Sequence, residues 1–239
     1  HGSIHFVSTD YETILTNLIK QQKVKDVRSS SPPSINLVVC PCVTPWAYEH
    51  IQRWNSNLQD PNRSFQVGKE TKESRALMTF VQRLQQQHQF DKFDIHLDLH
   101  ETTNTDATEF MPAKHAKAGL LYEGETIPDG FYLVGDEQVA AATPDIQQFY
   151  QSILQSVQKV THLALPDEHG KIIDVPVVED VPSLILVPAQ SLGLCGGGCP
   201  FATYVATTEV YPDSDQLPSN NVHERNMICN RAQSAAICG

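Results

Sequence analysis

The chain has 239 residues, 40% hydrophobic and 19% charged, enough to bury one sizeable core, so a single domain is the expectation. Its 12 glycines and 15 prolines are ordinary for a globular protein and exclude a collagen-like or wholly disordered chain. No apolar run reaches the ~18 residues of a membrane helix, and a formal net charge of −11 leaves no basic face for nucleic acid, so neither is an expected partner.

Residues 8–20 read as a helix: Ser8, Thr9 or Asp10 can cap it, and Tyr11, Ile14, Leu15 and Leu18 recur at helical spacing. Serines and prolines make 27–34 a loop, and the apolar run 35–40 has the pattern of a strand buried on both faces. Residues 45–68, with Pro45, Pro61 and Gly68, are mostly loop. A long helix is predicted over 70–89, with Ala76, Leu77, Phe80, Val81 and Leu84 on one side, and a second buried strand over 93–100. The polar stretch 102–142 reads as a long lobe over a site. A third helix is predicted over 144–160, further strands over 184–187 and 204–210, and a closing helix over Val222–Cys238. Helices between apolar strands imply an α/β fold: a mostly parallel or mixed central sheet flanked by helices on both faces. Function in such sheets collects at the carboxyl ends of the strands.

Six cysteines lie at 40, 42, 195, 199, 229 and 238. Cys40-Pro-Cys42 with the Cys195-Gly-Gly-Gly-Cys199 run could form a four-thiolate zinc site, but the first pair lacks the usual two-residue gap. Buried thiols or one or two disulfides are the simpler alternatives.

The densest chemistry is Asp94-Ile-His96-Leu-Asp98-Leu-His100-Glu101-Thr102. Residues two apart share a strand face, so His96, Asp98 and His100 align. Burying such groups is costly, and a metal would offset it. His96 reads as a core histidine and His100, at the strand end, as a ligand. Arg53-Trp-Asn55 and Asp60-Pro-Asn62-Arg63 place two guanidinium forks in a loop, which suits capture of a carboxylate. Glu209, in Thr207-Thr208-Glu209-Val210, ends an apolar strand where a general base beside a metal is one reason to keep a carboxylate.

An Asn-Arg loop, a strand ending Asp-Leu-His and a late strand ending Thr-Glu, in that order, resemble the zinc carboxypeptidase superfamily. The similarity is greatest to its succinylglutamate desuccinylase/aspartoacylase-like branch and runs from about residue 35 to 215. The resemblance implies a Zn2+ cofactor with His100 as a ligand and Glu209 as general base and acid. It implies that Asn62 and Arg63 bind the substrate carboxylate, and that Arg53 polarises the scissile carbonyl or helps hold the carboxylate. The implied activity is a zinc-dependent, metallocarboxypeptidase-like hydrolase cleaving an amide bond next to a free carboxylate. Its substrate would be a small peptide or an acyl-amino-acid. The alternatives are an N-acyl amino acid deacylase and a non-catalytic carboxylate-binding module on the same fold. One departure stands out: the family's other two ligands come from a His-x-x-Glu motif. Here His1 is followed three later by Ile4 and His5 by Ser8, so neither fits. The motif and the strands before it are expected upstream of His1.

Overall fold

The computed structural model describes residues 36–124, 126–198 and 201–238; the helix read over 8–20, the loop over 27–34, and His1, His5 and Cys199 lie outside the described residues. The described elements begin with α1 (Pro45–Glu49), a 3-10 turn (Pro61–Arg63), α2 (Lys72–His88) and β1 (Phe93–Glu101). A π-turn (Asp106–Phe110) leads into α3 (Met111–Ala118), followed by β2 (Tyr132–Asp136), α4 (Glu137–Ala142) and α5 (Ile146–Val157). Three strands follow, β3 (Lys171–Ile172), β4 (Val175–Val178) and β5 (Val181–Val187). Two short helices, α6 (Ala189–Leu192) and α7 (Cys195–Gly198), then lead to β6 (Ala202–Val210) and α8 (Val222–Cys238).

The strands form one six-stranded sheet in the order β1-β6-β2-β5-β4-β3. It is mixed: β1 and β6 are parallel, as are β2 and β5, whereas β2 and β6 are antiparallel. The hairpin β3-β4-β5 is antiparallel. One face carries the main core, where Leu133, Leu184 and Ala206 of the sheet meet Tyr150 and Ile153 of α5 and Ala232 of α8. Burying each large aliphatic or aromatic side chain contributes about 1.5–3 kcal/mol. The other face carries Tyr132, Val134, Ile185 and Val187 with Ala189 of α6, and nearby Cys195 packs with Phe65 and Met78 of α2. Helices therefore lie on both faces, as the alternating pattern predicts.

Local chemistry fixes the boundaries. Thr71 caps α2 in a box with Ser74, and Asp136 caps α4 by accepting from the Gln138 and Val139 N–H groups. The buried face of α2 is Ser74, Met78 and Val81, whereas Phe80 is 47% exposed and Ala76 is on the outer side. Residues 36–40 form no strand and are exposed, so that expectation is corrected; apolar content alone does not supply a ladder partner. β1 pairs only with β6 among the described residues and leaves Ile95 53% exposed, so it is not the doubly buried strand its composition suggests. The stretch 102–142 is not simply a polar lobe, because it contains β2, every residue of which is buried.

Candidate active site

β1 and β6 set His100 beside Glu209 and Asp98 beside Thr207, and β2 sets Tyr132 on the other side of Glu209. Neighbours in register share a face, so His100, Glu209 and Tyr132 form one row at the carboxyl ends of β1 and β6. Sequence alternation on one strand and strand pairing across the sheet thus gather the chemistry at the end the topology favours.

His100 is buried, and its Nε2 donates to Asp98 Oδ2 at 2.8 Å. The other ring nitrogen, Nδ1, faces Glu209, whose Oε1 is 4.0 Å away. Burial works against a charged imidazole, but Asp98 outweighs it and raises the His100 pKa. Burial also works against the Asp98 carboxylate, which His100 and the Gly196 N–H nevertheless hold below the usual range. From the opposite face Gln233 donates to the His100 carbonyl at 2.8 Å and accepts from Thr208 Oγ1 at 2.5 Å.

Glu209 accepts from Thr102 Oγ1 at 3.2 Å. Burial pushes its pKa up, and the His100 charge and the Thr102 bond offset this only in part. A carboxylate poised above its ordinary range is suited to taking and returning a proton. Burial and the Glu209 charge push the Tyr132 phenol well above its usual pKa, so it remains a protonated donor.

The loop after α1 is organised by Asp60. Its Oδ1 accepts the Asn62 N–H at 3.0 Å and its Oδ2 accepts Arg53 Nε at 3.1 Å. Asn62 is brought to the row: its Nδ2 lies 3.3 Å from His100 Nε2, and its Oδ1 accepts the Cys195 N–H at 2.7 Å. Arg63 is exposed, donates from Nη1 to the Asn62 carbonyl at 2.6 Å, and lies in the field of Glu209. Arg53 is placed differently. It is 7% exposed and engaged by Asp60 and, at 3.5 Å, by Asp106 of the π-turn. Asn55 is a loop organiser, donating to Glu73 and accepting the Asn57 and Gln59 N–H groups.

His96 sits deeper on the same face, 4.0 Å from Cys195 Sγ, and burial lowers its pKa. None of the described cysteines is disulfide-bonded, and Cys40 is exposed whereas Cys195 is buried. Among the described residues no three His, Cys, Asp or Glu side chains gather to hold a metal. Nδ1 of His100 fits one imidazole ligand of a zinc set, because Asp98 occupies the other nitrogen. A cavity of about 500 Å3 opens beside His100 and Glu101, walled by Tyr48, Phe110, Pro212 and Gln233.

Tyr132, Asp106 and Gln233 were not signalled by the sequence, and Thr102 only as the last residue of the Asp94-to-Thr102 stretch. Asp60 was, since Asp-Pro-Asn is a turn signature whose carboxylate caps the N–H two residues on.

Residues 12–124 match the Succinylglutamate desuccinylase/Aspartoacylase catalytic domain family. No curated protein matches the chain. Among solved structures, a metallopeptidase candidate from Shewanella amazonensis SB2B is similar at 15% identity with a TM-score of 0.53. That likeness covers 92% of this chain and 70% of the other, and it establishes the fold. A metallo-carboxypeptidase from Burkholderia cenocepacia is 18% identical over 83% of this chain and 43% of its own, with a TM-score of 0.45. A carboxypeptidase A candidate from Shewanella denitrificans OS-217 is 15% identical over 96% of this chain and 53% of its own, with a TM-score of 0.48. The chain thus spans about half the length of these last two proteins.

Proposed function

We propose that this chain, whose residues 12–124 match the Succinylglutamate desuccinylase/Aspartoacylase catalytic domain family, is a hydrolase cleaving an amide bond next to a free carboxylate. The observation that carries this reading is the His100–Glu209 pair: a ring nitrogen of a buried imidazole and a carboxylate with a raised pKa face each other across 4.0 Å. When bound, with His100 as one ligand, zinc supplies Lewis acidity. Glu209 accepts a proton from the attacking water and returns it to the leaving amine, so the peptide or acyl amide is exchanged for an acid and an amine. Asn62 and Arg63 hold the substrate carboxylate. Arg53, engaged by two carboxylates, steadies this loop.

The substrate is a small peptide or an acyl-amino-acid. The family match over residues 12–124 favours the second, an N-acyl amino acid deacylase. The test is turnover of N-acyl amino acids and dipeptides by zinc-supplemented protein, each with its carboxylate free or amidated. Hydrolysis confined to the free acids supports the proposal. Equal turnover of amidated substrates, or none of either with zinc bound, contradicts it; the latter would leave a carboxylate-binding module.

A further inference from the structure

The Cys-Gly-Gly-Gly turn has no part in the chemistry above, yet it touches the residues that do. Its first N–H, from Cys195, is accepted by Asn62 Oδ1 at 2.7 Å. Its second residue, Gly196, lies against Asp98, a Cβ there standing 3.4 Å from Asp98 Cβ, and its N–H helps hold that carboxylate ionised. Asn62 and Asp98 are the two side chains that meet His100 Nε2, at 3.3 and 2.8 Å. Just before the turn, Gly193 has φ +68°, and a Cβ there would stand 2.6 Å from the Arg63 carbonyl oxygen. The Gly193 carbonyl accepts the Phe65 N–H at 3.0 Å. Residues 193–196 are therefore wedged between the Asn62–Arg63 loop and the sheet face bearing Asp98 and His100.

We infer that residues 193–196 are a positioning element that fixes the His100 ring and the Asn62 amide together, with Gly196 as its determining residue. The spacing requires glycine. A Cβ at Gly196 would meet Thr207 Oγ1 at 1.9 Å, far inside contact distance, but Thr207 Cβ only at 3.3 Å and Asp98 Cβ at 3.4 Å. Alanine there must lift the turn from the sheet, and both N–H donors leave with it. Asp98 then loses a donor that orients its carboxylate, and the His100 ring held against it is no longer fixed in place. Because one obstructing atom dominates, removing it by Thr207→Ala lets the added methyl group settle near ordinary contact distances. The sequence logic is thus a small residue opposite a threonine, and the functional consequence rests on His100 having the role proposed above.

The experiment compares the full chain with Gly196→Ala and with Gly196→Ala/Thr207→Ala, reading the His100 ring nitrogens by 15N NMR. This readout needs neither metal nor substrate, so it is decided separately from the hydrolase reading. Wild type and the double variant should share one pair of ring-nitrogen shifts at a given pH, and Gly196→Ala should give shifts displaced from them. In zinc titrations the single variant should bind about 10-fold more weakly, with recovery in the double variant. A changed melting temperature with unchanged ring nitrogens in Gly196→Ala would overturn the inference, because a purely structural glycine behaves that way. Should Gly196→Ala not fold, the Gly196 amide is followed by hydrogen exchange in Asp98→Ala. Exchange about 10-fold faster or more supports the contact, and unchanged exchange refutes it.

Discussion

His100 and Glu209 are register partners on parallel strands, and their facing atoms, Nδ1 and Oε1, stand 4.0 Å apart. The distance is too long for a direct hydrogen bond and suits a site in which a reacting group lies between. His100 is buried and Glu209 half-buried, and their charges are offset differently. Asp98 compensates His100, whereas Glu209 is offset chiefly by the histidine beside it and the Thr102 hydroxyl.

The imidazole ligand comes first. His100→Ala should reduce bound zinc and activity together, because one nitrogen donor is lost outright. Asp98→Asn should lower zinc affinity about 10–100-fold by weakening the orientation and basicity of His100. Zinc measured by chelator competition on both variants checks this. Full metal occupancy in His100→Ala would remove that residue as a ligand.

The two arginines should behave oppositely. Arg53 is buried between Asp60 and Asp106, so Arg53→Met leaves two carboxylates without their cation and should destabilise the fold by about 3–5 kcal/mol. Arg63 is exposed, so Arg63→Met should change stability by about 0.5 kcal/mol or less. It should raise KM for carboxylate substrates instead. Urea unfolding and steady-state kinetics on the pair separate structural from binding roles, and a stable, weakly binding Arg53→Met would reverse the assignment.

The pH dependence follows from Glu209. Burial raises its pKa, so the protonated form persists above the ordinary carboxylate range. A general base must be ionised, so kcat/KM should fall as pH drops through that raised value, and the acid limb should lie above pH 4.5, the ordinary glutamate value. A pH–rate profile of wild type checks this. An acid limb at or below the ordinary value would show that another group controls it.

Much of this site was legible in the sequence because strand periodicity is strict. Alternation puts Asp98 and His100 on one face, and the apolar run before Glu209 marks a strand end; both carry over into β1 and β6. The closing helix is found where the pattern puts it, at Val222–Cys238. β2 was not legible, since Tyr-Leu-Val-Gly-Asp is short and has a glycine inside, and what keeps it a strand is its pairing with β5 on one side and β6 on the other. Tyr132 was lost with it. The fate of Arg53 was equally hidden, because Asp106 is 53 residues away and reaches it only through the π-turn. The run 36–40 shows the converse: it is apolar, yet it pairs with no strand among the described residues.

The measurement that most directly tests the account is kcat of Glu209→Gln, taken with zinc content and substrate affinity on the same preparation. Glutamine keeps the size and can still accept from Thr102, but it cannot take the proton. The account predicts retained zinc, substrate binding within a few-fold, and kcat lower by roughly 10²–10⁴. A kcat near wild type, with affinity or stability lost instead, would contradict it and leave Glu209 as a partner for the neighbouring charges.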